Sequence, residues 1–477
     1  MSRAAAALRR RLAGSSPFDA LLALAVMAAV ARAQPSHAVS AGLALVAALG
    51  LVWPRARRVE PRARRRLERQ RTRLVVIAAV ASATLAIAAD LSRFVSTGNV
   101  RVWNVYHYYL GAKYFGELGY TDLYDATLKA DSKGLNYWGG LSRVRNLSTY
   151  AIEGRRTREQ AYEPAEHFEP ARWQAFQRDV AALARHLEPH HWQGIFTDRG
   201  YNGTPFWTVL GGGLAHLVPA DHRLALALLC SLDLLLLGGT LVLIATTFGA
   251  RKAACVLLLL TLSPVNAHRF VGGFLQYDWF CAVAIALCLY RRRAPTAAAA
   301  AMAYAVLTRV FPVLFVLVGA VPMVLRWLRV RGRSSYLLRY RPPRHASRFG
   351  VAFVAWCSLG LLISLANGRG AVAWREFATG IGLHSEHHVF GERRVGLKHA
   401  FTHRLGSFEL GRDNDRRQSY KEQRVVYGLV AAALLAGCAW VSARSRSWDA
   451  MLLGLVPIFA LIVTSRYYAS YLALVPL

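Results

Sequence analysis

The sequence predicts an all-α polytopic membrane protein with about 10–12 transmembrane helices and a large first external loop that contains interfacial helices. Two observations support this class. The hydrophobic fraction of the 477 residues is 55%, gathered in recurring apolar segments, and the formal net charge of +32 comes largely from short basic runs between those segments. Such runs mark cytoplasmic loops, and their placement argues against a nucleic-acid-binding protein.

The N-terminal part holds four arginines (Arg3, Arg9, Arg10 and Arg11), an apolar run over residues 17–33 and a second one over residues 38–53. A basic start followed by one apolar run is also the pattern of a signal peptide, but the second run favours an uncleaved helical hairpin. The basic stretch 55–73 then predicts a cytoplasmic loop. We therefore assign residues 1–73 to a hairpin with its basic cytoplasmic loop and residues 74–477 to a transmembrane domain.

The next apolar segment, residues 74–89, runs outward from the basic loop and places residues 90–204 outside. Later apolar segments predict further spans at residues 205–218, 224–248, 253–265, 279–290, 294–307, 312–325, 349–366, 425–442 and 448–464. Their charged flanks place a second external loop at residues 367–424. The basic turn at residues 249–252 is expected inside, so the chain between residues 205 and 248 must cross the membrane an odd number of times. Two alternatives satisfy this: either residues 205–218 are re-entrant or residues 224–248 bend back. The last apolar stretch, 471–477, is too short for a span and leaves open a missing C-terminal piece.

All six cysteines lie in apolar segments, and no two of them form a Cys-x-x-Cys pair. They are expected to be small buried hydrophobic residues, with neither a disulfide framework nor a metal site. The frequent use of arginine and alanine is typical of a GC-rich bacterial genome. We therefore expect a multi-pass protein of the bacterial inner membrane.

Under this topology, polar side chains from several segments gather on the external face. They are Asp90, Asn104, His107, Glu117, Asp122, Asp125, Gln276, Asp278, Arg309 and the polar residues of segment 384–404. Their convergence predicts a site, because polar groups near hydrocarbon are costly unless they are used. The alternative is that the outer loops of any membrane protein hold its polar residues. Carboxylates at this depth acquire the raised pKa that a general base needs.

Residues 106–124 carry aromatic and small residues at helical spacing, with Tyr108, Ala112, Phe115 and Gly119 on one face. This pattern predicts an amphipathic helix that lies at the membrane interface, where aromatic rings are favoured. It serves either as part of the site or as a simple anchor.

Short motifs recur in a fixed order along the chain: residues 108–112 with 123–125, then 201–207, 273–276, 307–312 and 465–468. This ordered set resembles glycosyltransferase family 87, the polyprenyl-phosphate-sugar-dependent membrane mannosyltransferases and their relatives. The resemblance covers most of the chain from residue 74 onward. It implies a GT-C-like catalytic domain over residues 74–477, and transfer of a mannose-like hexose from a polyprenyl-phosphate sugar to an acceptor on the outer face, with inversion and without a cofactor.

One position departs from the family's pattern. Members usually carry an acid four residues before the tyrosine matched by Tyr108, and this chain carries Asn104 there. Three alternatives follow: an acid such as Asp90, Asp122 or Asp125 is the catalytic base, His107 takes that role, or the chain is not catalytic.

Substrate binding is assigned to a larger set of residues. Its members are Asn104, Tyr108, Gln276, Asp278, Arg309, Arg393, Arg394, Lys398 and Arg404. Arg309 stands where the family often has lysine, and its planar fork suits phosphate oxygens, although an arginine at a hairpin tip is also a common interfacial anchor. Gln276 and Asp278 contact sugar hydroxyls or, alternatively, cap helix ends.

The histidines His384, His387 and His388 can share one helical face, as a metal site requires. An anion-binding loop or a solvated cationic loop is the favoured explanation, so no metal is predicted. The expected partners are the sugar donor, the lipid bilayer and a glycan or glycolipid acceptor, with no nucleic acid. The rival function is a non-catalytic lipid-binding or transport protein on the same scaffold.

Overall fold

The computed structural model describes residues 61–97, 100–132, 134, 136–262, 270–331, 343–388, 390, 394–403, 413–445 and 447–477. The predicted N-terminal hairpin over residues 1–53 lies outside the described residues. Most of the described chain is helical, which confirms the all-α prediction. Two short antiparallel ladders, which the sequence did not predict, are added to the helices.

The helices are Pro61–Thr97, Val102–Val105, Tyr106–Leu110 (a π turn), Gly111–Lys113, Phe115–Leu118, Leu123–Ser132, Arg155–Ala161, Pro164–Glu166 (3₁₀), Pro170–Ala184, Pro189–Phe196, Pro205–His216, Arg223–Leu229, Leu232–Phe248, Ala250–Leu262, Asp278–Arg291, Pro295–Arg309, Val313–Arg331, Arg344–Ser364, Val372–His388, Leu397–Ala400, Asp413–Arg444, Ser447–Leu452, Leu455–Leu461 and Arg466–Leu474 (3₁₀). The strands pair as Arg143–Arg145 with Ile152–Gly154 and as Arg394–Val395 with Thr464–Ser465.

Four helical stretches of the described chain are long and apolar enough to cross a membrane: Arg65–Ala88, Arg223–Phe248, Arg344–Ser364 and Asp415–Arg444. Other predicted spans form shorter helices. Helix Asp278–Arg291, for example, has 14 residues. At 1.5 Å per residue it extends about 21 Å, less than the roughly 30 Å hydrocarbon core of a bilayer. The four long helices are consistent with a membrane protein.

The chain divides into two compact units. The first comprises the described residues within Met1–Leu91, Gly238–Phe270 and Tyr467–Leu477. Within it, small side chains of helix Pro61–Thr97 pack on helix Ala250–Leu262 around a core of Val75, Ala79, Ala254, Cys255 and Leu258. A hydrogen bond between the Ser82 and Thr261 hydroxyls (2.8 Å) links the same two helices. Small residues and a paired hydroxyl let these helices approach closely.

The second unit comprises the described residues within Ser92–Leu237 and Val271–Arg466. Its core is rich in large aromatic side chains that are fully buried: Tyr106, Tyr109, Tyr114, Phe115, Tyr124, Trp138, Phe176, Trp192, Trp207, Tyr277 and Trp279. Each of these rings removes a large apolar area from water, so this core is a main source of the unit's stability. All the site residues discussed below, apart from Asp90, belong to this unit.

The segment 106–124 differs from the single amphipathic helix predicted for it. It begins with the π turn Tyr106–Leu110, continues as helix Gly111–Lys113 and restarts as Phe115–Leu118. Gly119 then takes a positive φ of 54°. Because Tyr106, Tyr109, Leu110 and Tyr114 are all 0% exposed, this segment lies in the protein core.

The turn into helix Pro205–His216 connects two parts of the second unit. The Thr204 hydroxyl accepts a bond from the Trp207 backbone N–H (3.1 Å), and Pro205 occupies the first helical position. Both features are typical helix starts. The same hydroxyl donates to the Leu307 carbonyl (2.6 Å), in the last turn of helix Pro295–Arg309. This bond brings the loop before Thr204 close to Arg309.

Candidate functional site

The π turn Tyr106–Leu110 provides four consecutive ring side chains that bond to three different segments: helix Leu123–Ser132, the loop at Asn202 and the turn at Val218. Tyr106 bonds to Thr127, His107 to Tyr124, Tyr108 to Asn202, and Tyr109 to the Val218 carbonyl. Turns of this kind often occur at functional sites, because the extra residue re-aims the side chains that follow.

His107 has partners on both sides of its ring. Its Nδ1 lies 2.8 Å from the Trp103 carbonyl and its Nε2 lies 2.8 Å from the Tyr124 hydroxyl. Since a carbonyl only accepts, Nδ1 carries the proton and Nε2 accepts from the tyrosine. The Tyr124 oxygen accepts in turn from the Gly200 N–H (3.1 Å). With its ring 3% exposed and both nitrogens bonded, His107 is better placed to hold the loop together than to receive a substrate proton.

Burial lowers the pKa of the His107 imidazole below its ordinary value of about 6.5. The unfolded chain then binds this proton more readily than the folded one, so the protein is expected to lose stability as pH falls below about 6.5. His107→Gln, which does not titrate, is expected to weaken that dependence. Thermal unfolding between pH 5 and pH 7.5 measures the difference, and the exposed His191→Gln serves as the control. Equal slopes for His107→Gln and the wild-type protein would contradict this account.

Asn104, at the position where an acid is usual in the resembled family, bonds to a neighbouring loop. Its Oδ1 accepts from the Phe274 N–H (2.6 Å). Arg101 holds the same loop through its backbone N–H to the Gly272 carbonyl (2.9 Å) and through its guanidinium to Gln276 Oε1 (2.5 Å). Asn104 and Gln276 are thus both used in fixing the loop before helix Asp278–Arg291.

Asn104→Ala is expected to lower the stability of the protein by about 1–3 kcal/mol, because the Phe274 N–H loses its acceptor. Asn104→Asp keeps an oxygen at that place and is expected to stay closer to the wild-type protein. Thermal unfolding of both variants in detergent checks this order. If the Asn104→Asp and Asn104→Ala variants unfold at the same temperature, the bond from the Phe274 N–H to Oδ1 does not contribute to stability as expected.

Asp278 is a buried carboxylate with three hydrogen-bond donors. Its Oδ2 accepts from Trp207 Nε1 (2.8 Å) and from the Tyr304 hydroxyl (2.8 Å), and its Oδ1 accepts from the Trp279 N–H (2.7 Å). The Arg309 guanidinium interacts with it electrostatically. Asp278 therefore ties three helices together and provides a counter-charge for Arg309.

Arg309 also lies over an aromatic ring. Its guanidinium carbon is 5.5 Å from the centre of the Tyr108 ring, a cation–π distance, and it interacts electrostatically with Tyr201. The Tyr108 hydroxyl donates to Asn202 Oδ1 (2.5 Å). The structure thus brings three of the predicted residues together, namely Tyr108, Asp278 and Arg309.

The acids of the first loop have different environments. Asp125 is buried and is clamped by Arg158, whose Nε lies 3.0 Å from Oδ1. Burial raises the pKa of the Asp125 carboxyl to about 6 despite this partner. Asp122 is more open, with 28% of its side chain exposed, and accepts from the Thr121 hydroxyl (2.7 Å). Asp122 is therefore the more accessible of these two acids.

A cavity of about 270 Å³ lies between the first loop and helix Val372–His388. Three cationic or imidazole side chains line it: Arg199, Arg375 and His384. Aromatic rings line it as well, from Tyr120, Tyr150, Tyr201 and Phe377. Aromatic walls with a few polar groups are the usual composition of a binding site for an organic ligand, and the cations favour an anionic one.

Glu376 contributes a carboxylate to the wall of this cavity. Arg369 holds it with two bonds, from Nε to Oε2 (3.1 Å) and from Nη2 to Oε1 (2.6 Å). The same guanidinium interacts electrostatically with Asp122. Arg369 therefore stands between two carboxylates, of which Glu376 faces the cavity.

Of the cations predicted for the second external loop, the two that the structure describes, Arg394 and Lys398, are not among the residues that line this cavity. Arg394 lies in strand Arg394–Val395 and bonds to the Ser465 hydroxyl (3.2 Å). Lys398 lies 4.8 Å from the centre of the Tyr420 ring, and burial lowers the pKa of its ammonium. Arg393, Arg404 and the side chain of Asp90 lie outside the described residues.

Among the described residues, three exposed side chains could share a metal ion. Glu188, His190 and His191 each place a ligand atom within 4.8 Å of the others at the start of helix Pro189–Phe196. None of them lines the cavity. Two of the three histidines of the metal alternative, His387 and His388, have side chains that lie outside the described residues.

Sequence reasoning missed Arg199, Arg375 and Glu376. A signal for part of the site was present, since Glu376, Gly380 and His384 recur at a spacing of four and so share one face of a helix. Arg199 has no such signal, because it lies in a loop whose path depends on tertiary contacts. Comparison of the chain with protein-family models, curated proteins and solved structures gives no match.

Proposed function

We propose that this chain is a membrane glycosyltransferase, which moves a mannose-like hexose from a polyprenyl-phosphate sugar to an acceptor on the outer face of the membrane. The observation that carries the proposal is the cavity at Tyr201 and Asn202, because it combines aromatic walls with Arg199, Arg375 and His384. Tyr201 and Asn202 also belong to one of the motifs that resemble glycosyltransferase family 87.

The donor's phosphate is assigned to the two arginines of the cavity. Guanidinium groups bind phosphate oxygens through paired, charge-assisted hydrogen bonds. The hexose is assigned to the tyrosine-lined wall, where hydroxyls and ring faces meet the alternating polar and apolar surfaces of a sugar. Arg309 is assigned a long-range electrostatic role, because its positive charge interacts with Tyr201, which lines the cavity.

In the proposed reaction the acceptor hydroxyl oxygen attacks the anomeric carbon of the hexose. The bond from that carbon to the phosphate oxygen breaks, and the polyprenyl phosphate leaves with the electron pair. The hydroxyl proton passes to a carboxylate. Protein cations that stabilise the phosphate charge lower the barrier, and a single displacement inverts the anomeric centre.

We assign the role of base to Glu376, with Asp122 as the runner-up. Glu376 lines the cavity and is oriented by Arg369. Asp122 lies beside Thr121, which also lines the cavity. His107 and Asp125 are given structural roles, because both are buried, whereas 29% of the Glu376 side chain is exposed. Asp90 stays a candidate from the sequence.

The proposal includes a GT-C-like arrangement of about 10–12 spans in a bacterial inner membrane. Four helices of sufficient length and apolar composition support membrane association. The basic segments between apolar runs support an external location for the loops that form the cavity.

A second candidate is a non-catalytic lipid-binding or transport protein on the same scaffold. Asn104 favours it, because the amide replaces the acid expected from the resemblance and bonds to the Phe274 N–H. A cavity that binds a phosphate-linked sugar without a competent base would still hold a lipid-linked ligand.

The test is transfer of hexose from a labelled polyprenyl-phosphate hexose by the full chain in proteoliposomes. We expect transfer by the wild-type protein and at least a tenfold loss in Arg375→Gln, since a hydrogen bond to a charged group contributes about 1.5–3 kcal/mol. Arg417→Gln, on helix Asp413–Arg444, is the matched control. Binding of the donor without transfer would favour the second candidate, and transfer unchanged in Arg375→Gln would remove the cavity from the proposal.

A further inference from the structure

A second cavity, of about 420 Å³, lies where the end of helix Leu123–Ser132 meets helix Pro170–Ala184. The proposed reaction does not use it. Its polar lining comes from Asp131, Gln174, Gln177 and Arg178. Small apolar residues and one valine form the rest of the wall: Ala130, Gly134, Val180, Ala181 and Ala184. We call it the amide groove.

One wall of the amide groove is a single helix face. Gln174, Gln177 and Arg178 stand at positions i, i+3 and i+4 of helix Pro170–Ala184, so their side chains lie side by side. Ala181 and Ala184 continue the same face. Gln174 and Arg178 are exposed and Gln177 is half-buried. This wall therefore presents two amides and a guanidinium above a floor without bulky side chains.

The opposite wall is set by Asp131, which is buried and held in place by the backbone. Its Oδ1 accepts from the Tyr137 N–H (2.6 Å) and its Oδ2 accepts from the Trp138 N–H (2.9 Å). A carboxylate oxygen that accepts one bond retains further acceptor capacity. Asp131 is thus an oriented acceptor opposite the amides of Gln174 and Gln177.

We propose that the amide groove binds the saccharide chain of the acceptor. Sugar hydroxyls both donate and accept, and amide, carboxylate and guanidinium groups together provide both functions in paired geometry. A phosphate ligand is disfavoured, because the single guanidinium is offset by the Asp131 carboxylate. An acyl chain is disfavoured as well, since it would take from water the polar groups that project from both walls and would offer them no hydrogen bond.

The distance between the amide groove and the 270 Å³ cavity assigned to the donor sets the length of that saccharide. Tyr120 and Thr121 line the donor's cavity just before helix Leu123–Ser132 begins, and Asp131 lines the amide groove near the end of the same helix. At a helical rise of 1.5 Å per residue, Thr121 and Asp131 are about 15 Å apart. This inference rests on the proposed function, and it identifies the acceptor as an oligosaccharide of several units, whose end reaches the donor while its inner units lie in the groove.

Binding tests the groove separately from transfer. The probes are gluco-, galacto- and manno-oligosaccharides of one to five units, and their binding to the full chain in nanodiscs is measured by calorimetry or saturation-transfer NMR. We expect at least one series to bind more tightly as it lengthens, and Gln177→Ala and Ala181→Trp to weaken the longer members at least tenfold. Gln418→Ala, at an exposed amide on helix Asp413–Arg444, is the matched control.

The outcomes separate the two proposals. The groove proposal is overturned if no series binds to the wild-type protein. It is also overturned if Gln177→Ala and Ala181→Trp bind the longer saccharides as tightly as the wild-type protein does. Length-dependent binding that these variants weaken, in a protein without transfer activity, supports the groove as a saccharide site and removes the proposed function. Where transfer occurs, we expect the two variants to raise KM for long acceptors and to leave kcat unchanged.

Discussion

Glu376→Gln is expected to slow hexose transfer by about 10²–10⁴-fold, the usual contribution of a general base. The amide has nearly the same shape as the carboxylate but cannot accept the acceptor's proton. Because Glu376 is not assigned to the phosphate, binding of the donor should change little. Single-turnover transfer in proteoliposomes, with donor affinity measured in parallel, gives the two quantities.

Two controls accompany this variant. Glu422→Gln makes the same chemical change at an exposed position on helix Asp413–Arg444 and should transfer like the wild-type protein. Asp122→Asn tests the runner-up, since Asp122 also interacts with Arg369. A full rate in Glu376→Gln together with a large loss in Asp122→Asn would move the role of base to Asp122. Thermal unfolding of Glu376→Gln shows whether the broken Arg369 pair has altered the fold.

Asp278→Ala is expected to destabilise the protein by about 3–5 kcal/mol, the usual effect of removing one partner from a buried charged pair. The substitution leaves the Trp207 indole N–H and the Tyr304 hydroxyl without their acceptor and Arg309 without its counter-charge. Thermal unfolding in detergent should therefore begin on the order of 10 °C lower.

Asp278→Asn separates hydrogen bonding from charge at this position, because the amide oxygen still accepts from Trp207 or Tyr304. We expect an intermediate loss of stability. Asp221→Ala, at an exposed aspartate, should unfold like the wild-type protein. If Asp278→Ala unfolds together with this control, the network around Asp278 contributes little to the second unit.

The helices of the second half of the chain were largely predictable. Hydrophobic runs bounded by arginines and prolines gave the predicted segments 279–290 and 294–307, which the structure contains as Asp278–Arg291 and Pro295–Arg309. The break at Cys230 and Ser231, between helices Arg223–Leu229 and Leu232–Phe248, was harder to locate. Neither glycine nor proline marks it, so hydrophobicity alone reads through it.

The site was predictable in part. Asp278 and Arg309 come together because they lie at the start and the end of two helices that pack on one another, and the Tyr108 ring reaches Arg309 from the π turn. The prediction had Asp278 contact a sugar or cap a helix, and its partners are Trp207, Tyr304 and its neighbour Trp279. The cavity joins the loop at Arg199 to a helix face at Arg375, and such long-range pairing leaves no trace in a local pattern.

The π turn at Tyr106–Leu110 has a consequence for how this part of the molecule opens. Its four ring side chains form hydrogen bonds to residues near 124–127, 202 and 218. None of these stretches can unfold locally without breaking a bond to this one turn. We expect them to open as one cooperative unit, so that their backbone amides undergo hydrogen–deuterium exchange at similar rates.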